Sequence, residues 1–129
     1  MSNKKRILLV EDELDYGKMV RMRLDAAGYD VTLATDAYHG AQEIIKKDFD
    51  LVILDLMMPM GGGESVLERM RAIPAKAHIP VVILTAKPLD DRLTEYARVH
   101  DVSVIFGKPY DAEEFLSTIA SILSEAPAN

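Results

Sequence analysis

The chain has 129 residues, 49% hydrophobic and 28% charged, with a formal net charge of −6 and no cysteine. That length and balance suit one compact domain around a single core and leave little material for a second. The acidic balance, with basic runs only at Lys4-Lys5-Arg6 and Lys46-Lys47, offers no face for nucleic acid, and the lack of cysteine excludes disulfides and thiol chemistry.

In chain order, residues 7–10 form a four-residue apolar run, cut short by Glu11-Asp12-Glu13. The run is too short and wrongly flanked for the core of a signal peptide, and no apolar stretch approaches the length of a membrane span. A soluble, cytoplasmic protein is therefore expected, with no membrane insertion. A helix is expected over 14–27, with Leu14, Met19, Val20 and Leu24 available to one face and Gly28 placed to stop it. Residues 31–34 alternate in polarity, as an edge strand does. Asp36 is placed to cap a second helix carrying Ala37, Ala41, Ile44 and Ile45 at helical spacing.

Residues 51–54 repeat the pattern of 7–10, and a third helix is expected after Gly63 with Val66, Leu67 and Met70 inside. Residues 81–84 are the third apolar run. A fourth helix holds Leu89, Leu93, Tyr96 and Ala97. Residues 102–106, interrupted by Ser103, read as a second edge strand. The last helix starts at Asp111 with Glu114 in capping-box spacing and a stripe of Phe115, Leu116, Ile119, Ile122 and Leu123. One domain over 1–129 is expected, with a core of about 5–124 and a short disordered tail over 125–129.

Strict alternation of strand and helix implies an α/β fold: a doubly wound, five-stranded parallel sheet, (βα)5, with right-handed crossovers. The three apolar runs are strands buried on both faces and the two alternating ones are edges, which gives the order 2-1-3-4-5. Ligands of such sheets bind outside the carboxyl ends of the strands, where the order reverses. The residues at those ends are Glu11-Asp12-Glu13, Asp55, Thr85 and Gly107-Lys108-Pro109.

Taken singly, each has an ordinary explanation: an acidic pair caps a helix, a threonine satisfies local backbone, a lysine before proline is exposed. Together they form a set. Clustered carboxylates repel one another unless a cation neutralises them, and hard oxygen ligands suit magnesium. Lys108 adds a positive charge and Thr85 a donor. This is what phosphoryl transfer onto a carboxylate needs, with Asp55 as nucleophile.

The strings ILLVEDE (7–13), LVILDLMMP (51–59), VVILTAKP (81–88) and GKPY (107–110) resemble the receiver domain of bacterial response regulators, in the family's order and across essentially the whole chain. The resemblance implies that Glu11 and Asp12 are the acidic pair holding magnesium, or manganese, and that Asp55 is the phosphorylated aspartate. By the same resemblance the main-chain carbonyl of Met57 is a further metal ligand, Thr85 the switch hydroxyl and Lys108 the lysine that contacts a phosphoryl oxygen. Ala86 leaves room for the phosphoryl group. A cis peptide is expected before Pro109. The implied donor is a phosphohistidine on a histidine kinase or phosphotransfer protein, docking near Leu14, Asp15 and Lys18. The implied output is a change in the face made by the fourth helix, fifth strand and fifth helix, read by a downstream protein target. The chain would be a signalling phosphoacceptor that assists only its own phosphorylation and dephosphorylation.

Some positions depart from the pattern. Ile105 stands where the family often has an aromatic partner for the switch hydroxyl. Either a bulge brings Phe106 into that role or the partner is absent, and absence is expected. Asp101-Val102 replaces a common Gly-Ala, as a tolerated left-handed turn. Gly61-Gly62-Gly63 reads as a mobile loop beside Asp55, without the lysine of a P-loop. Met57 cannot orient an attacking water, so slow loss of phosphate is expected. Met57, Met58 and Met60 read as adaptable packing, the five tyrosines as packing, and His39, His78 and His100 carry no ligand spacing.

Other readings use the same fold. A flavin binder would need hydroxyl- and glycine-rich phosphate loops after the first strand, and an aspartyl phosphatase a second acid where Met57 stands. An interaction module that signals without phosphate, and a receiver fragment of a larger regulator or hybrid kinase, remain alternatives. The fifth helix lacks basic residues, so a stand-alone receiver, monomeric or weakly dimeric, is expected.

Overall fold

The computed structural model describes residues 4–58 and 62–125. Its elements alternate: β1 (Arg6–Val10), α1 (Leu14–Ala26), β2 (Asp30–Ala34), α2 (Ala37–Lys46), β3 (Leu51–Leu54), α3 (Gly62–Ala72), β4 (Val81–Thr85), α4 (Asp91–Val99), β5 (Val104–Gly107) and α5 (Ala112–Glu125). The strands form one parallel sheet in the order β2-β1-β3-β4-β5. As the apolar runs imply, β3 and β4 are buried throughout and β1 beyond Arg6, whereas β2 and β5 are only partly covered.

Because strand side chains alternate between faces, the sheet sorts its residues into two cores. Leu8, Val10, Val52, Leu54, Val81 and Ile83 pack with Ile44 of α2, Val66, Leu67 and Met70 of α3 and Leu93 of α4. Ile7, Leu9, Leu51, Ile53, Val82 and Leu84 pack with Val20 and Leu24 of α1 and Phe115, Ile119 and Leu123 of α5. Each fully buried aliphatic side chain contributes about 1.5–3 kcal/mol. No helix among the described residues is long and apolar enough to cross a membrane.

Local chemistry sets the boundaries. Gly28 has φ +99° after α1, the left-handed backbone that suits glycine. Asp36 accepts the His39 N–H at 2.6 Å and Asp111 the Glu114 N–H at 2.9 Å, so both expected caps are formed. Asp101 adopts φ +56°, the expected left-handed turn.

Several expectations need correction. Asp90 accepts the Leu93 N–H at 3.0 Å and so starts α4 at Asp91, leaving Leu89 outside the helix and exposed. β5 begins at Val104 rather than 102, because the Val102 N–H closes the end of α4 on the Ala97 carbonyl; it runs on to Gly107. Leu14, in the first turn of α1, and Ile45, one step around the helix from buried Ile44, face solvent. Met58 is packed in the core but Met57 is half exposed. Gly62 and Gly63 are buried in the first turn of α3 rather than in a loop. Residues 59–61, including Met60 and Gly61, and the tail 126–129 lie outside the described residues; α5 reaches Glu125, into the expected tail.

One long-range tie was not foreseen. The Arg71 guanidinium donates to the carbonyls of His100, Ala77, Ile79 and Asp101 at 2.7–3.0 Å, joining the end of α3 to the approach to β4 and the end of α4.

Candidate functional site

The backbone ladder continues one residue past the ends of β1 and β3. The Glu11 N–H donates to the Ala34 carbonyl at 3.0 Å and the Asp55 N–H to the Val10 carbonyl at 3.1 Å. Next to β4, the Lys108 N–H reaches the Thr85 carbonyl at 2.9 Å. Strand pairing thus carries residues from separate stretches of chain to one rim. Glu11 and Asp55 are almost wholly buried there, while Asp12 is exposed.

The Lys108 Nζ donates to Glu11 Oε1 at 2.6 Å and to Asp55 Oδ2 at 3.0 Å. The remaining oxygens are also occupied: Glu11 Oε2 accepts the Glu13 N–H at 3.1 Å and Asp55 Oδ1 the Met57 N–H at 2.9 Å. Burial pushes the Glu11 carboxyl up to about 7 against the pull of Lys108 and the Glu13 N–H, and the nearby Asp55 carboxylate adds to the rise. Burial alone would lower the Lys108 ammonium, but its hydrogen bonds to Glu11 and Asp55 outweigh this and hold it above the usual lysine value.

One carboxylate oxygen each from Glu11, Asp12 and Asp55 lie within 4.8 Å of one another. Magnesium–oxygen bonds of about 2.1 Å put opposite ligands about 4.2 Å apart, so small side-chain shifts would close this set on one ion. Hard anionic oxygens, one of them solvent-facing, fit a divalent cation that keeps water in its shell.

The other predicted residues surround this cup. Thr85 is fully buried, and its Oγ1 accepts the Lys87 N–H at 3.1 Å. Ala86 beside it is exposed. The Lys108-Pro109 peptide is cis, as expected. The register Ile83↔Ile105, Leu84↔Phe106, Thr85↔Gly107 is continuous, so no bulge moves Phe106. Ile105 packs on the α3 and α4 side, and Phe106 meets Phe115 of α5 edge-on at 5.3 Å on the other side. The aromatic partner of Thr85 is absent from this strand.

The glycines expected as a mobile loop and a tyrosine expected as packing both border the cup. A Cβ at Gly63 would overlap the Asp55 carbonyl oxygen, and one at Gly62 would stand 2.7 Å from the Leu56 carbonyl oxygen. These glycines let α3 close against the Asp55 backbone, and the glycine run after a buried strand was the available signal. The ring of Tyr16, on α1, lies under the Lys108 ammonium at 4.4 Å; nothing in the local sequence marks it.

The chain matches the family model described as response regulator receiver domain over residues 7–120. It is 37% identical over 123 residues to the transcriptional regulatory protein RprY of Bacteroides fragilis, covering 95% of this chain and 51% of that protein. It is 34% identical to the DNA-binding dual master transcriptional regulator RpaA of a Synechocystis species, covering 92% of this chain and 48% of that one. The chain therefore spans about half the length of these curated relatives. Among solved structures, the non-phosphorylated HemR receiver domain of Leptospira biflexa superposes with a TM-score of 0.86 at 28% identity, covering 98% of this chain and 99% of that one. A CheY-like receiver domain protein of Methanospirillum hungatei gives 0.87 at 23% identity, covering 95% and 96%, a likeness of fold. With the family model covering most of its length, the chain belongs to the receiver domains of two-component response regulators.

Proposed function

We propose that this receiver is the phosphoacceptor switch of a phosphorelay, taking a phosphoryl group onto Asp55 from a phosphohistidine of a kinase or phosphotransfer protein. The observation that carries the reading is the Lys108 ammonium shared between Glu11 and Asp55 in a cup of carboxylates at the strand ends. In the transfer, an Asp55 carboxylate oxygen forms the new O–P bond as the donor's P–N bond breaks. The electron pair leaves with the imidazole nitrogen, which takes up a proton. Lys108 exchanges a carboxylate oxygen for a phosphoryl oxygen as charge arrives. Glu11, Asp12, Asp55 and the main-chain carbonyl of Met57 would hold magnesium, or manganese, which when bound supplies positive charge to the crowded oxygens. The protein assists only its own phosphorylation and dephosphorylation.

A phosphoryl group adds about two negative charges and strong acceptors at neutral pH. Thr85 then exchanges the Lys87 N–H for a role as donor to a phosphoryl oxygen, drawing residues 85–88 inward past small Ala86. That movement re-poses α4, β5 and α5, the face offered to a downstream protein or to an output segment of a longer regulator. With Ile105 in place of an aromatic residue, loop movement alone carries the signal. The donor docks at the start of α1, where Leu14, Asp15 and Lys18 are exposed beside a groove reaching Met22 and Leu33. The protein works in the cytoplasm, as a monomer or weak dimer and without direct nucleic-acid contact.

Intact mass after incubation with a small acyl phosphate and magnesium tests the reading. The wild-type chain is expected to gain one phosphoryl group and Asp55→Asn none. A folded wild-type chain that gains nothing, or an Asp55→Asn variant that gains as much, overturns it in favour of a module signalling without phosphate or of another acceptor.

A further inference from the structure

The Lys108 ammonium has a third neighbour besides its two carboxylates: the Tyr16 ring, 4.4 Å away at the centroid. Close packing of α1 brings the ring there. A Cβ at Gly17, the next residue, would stand 3.0 Å from Leu33 Cδ1 and 3.4 Å from Glu11 Cγ, so glycine lets the helix lie this near β1 and β2 without pushing on those side chains. The Tyr16 hydroxyl is buried without a hydrogen-bond partner among the described residues. No hydrogen bond of that hydroxyl to protein accounts for the ring's position; its packing does.

The ring is braced from behind. Tyr110 meets Tyr16 edge-on at 6.2 Å and 84°, and packs on Phe115 of α5 at 4.6 Å. Arg23 holds Tyr110 in turn, donating from Nη1 to its hydroxyl at 3.1 Å with the guanidinium carbon 5.5 Å from its ring centroid. An aromatic train therefore runs from the core under α5 to the lysine of the site.

We propose that Tyr16 is a positioning residue that keeps the Lys108 ammonium aimed into the carboxylate cup through its ring face. A lysine stem has much rotamer entropy to lose, and its hydrogen bonds to Glu11 and Asp55 must be exchanged when a phosphoryl group arrives. The attraction of an ammonium to an aromatic face depends little on which oxygens it touches, so it persists through that exchange. The hydrogen bonds choose the acceptor; the ring keeps the donor in reach. This inference rests on the phosphoacceptor reading for its consequence, but the contact itself is independent of it.

The test pairs a spectroscopic signature with a rate. In the folded wild-type chain the Lys108 ε-methylene protons, assigned by their loss in Lys108→Arg, are expected upfield of those of the exposed lysines because of the Tyr16 ring current. Tyr16→Phe keeps the ring and is expected to keep both this shift and the initial rate of Asp55 phosphorylation by an acyl phosphate with magnesium. Tyr16→Leu is expected to return the signal toward the other lysines and to slow phosphorylation about fivefold, the worth of a partly desolvated cation–ring contact. An unshifted Lys108 signal in the wild-type chain overturns the inference even if Tyr16→Leu does not fold, and so does a Tyr16→Leu variant as fast as wild type. A wild-type chain with the shifted signal that takes no phosphoryl group overturns the function proposed for the site and leaves the contact standing.

Discussion

Lys108 and Glu11, 97 residues apart in sequence, meet at 2.6 Å, and the same ammonium lies 3.0 Å from Asp55. The lysine thus shares its one positive charge between two buried acids that would otherwise face each other without a cation. On the function proposed, a divalent cation among the same acids would compete with that role, whereas an incoming phosphoryl group would use it.

Replacing Lys108 should therefore separate two properties that fall together in most damaged sites. Lys108→Met is expected to bind magnesium at least as tightly as wild type by calorimetry, because a competing positive charge has gone. Phosphorylation of Asp55 is expected to fall about a hundredfold, the usual cost of removing one donor to a charge that develops in the transition state. Weakened magnesium binding in the folded variant contradicts this account of the lysine.

The closeness of α3 to the Asp55 backbone can be tested with one methyl group. A Cβ at Gly63 would overlap the Asp55 carbonyl oxygen, with the Leu54 Cβ 3.3 Å away on another side. Gly63→Ala is expected to lose about 2 kcal/mol in urea unfolding and to slow phosphorylation, since relief of the clash must move either α3 or residue 55. Wild-type stability in this variant would show that the helix start yields freely.

Met57 holds an Asp55 oxygen with its N–H while its side chain is half exposed. An apolar side chain there cannot orient a water for attack on phosphorus. Met57→Gln is expected to shorten the phosphoryl lifetime several-fold, read as loss of the phosphorylated mass with time. An unchanged lifetime would place control of the water elsewhere.

Away from the site, Glu43 on α2 is buried yet pairs with Lys47 at 2.8 Å. The hydrogen bond from Lys47, opposed by burial and helped by the charges of Lys47, Lys46 and His39, holds its carboxyl below the ordinary 4.5. A lowered folded value means a contribution fully present above pH 4.5 and lost as the pH falls through the folded value. Glu43→Gln is expected to cost about 1 kcal/mol at pH 7, the contribution of a charge-assisted bond with one partner in water. The gap to wild type should close as unfolding is measured at progressively lower pH; a constant gap would assign the effect to packing.

The sheet was legible because its three buried strands are uninterrupted Val, Ile and Leu runs, and the site because its polar residues directly follow those runs. The start of α4 was not, since Leu89 looks like a core residue until Asp90 is seen to cap the helix after it. Leu14 and Ile45 are apolar but project into water, and helical periodicity cannot tell which side of a wide stripe meets the sheet. The Arg71 tie escaped for a different reason: its four acceptors are main-chain carbonyls, which every residue has. Gly63 was visible within a glycine run but not as the point where α3 meets the Asp55 backbone, and Tyr16 acts on Lys108 in a distant part of the chain, so its importance lies in topology rather than local pattern.

The most direct measurement of the central claim is reductive trapping of the acceptor. Borohydride converts an aspartyl phosphate to homoserine, and cleavage after Lys47 and Arg69 releases the peptide over residues 48–69. After treatment with acyl phosphate and magnesium, homoserine at position 55 is predicted. A reduced product at residue 11 or 12, or none in a chain that remains folded, contradicts the account.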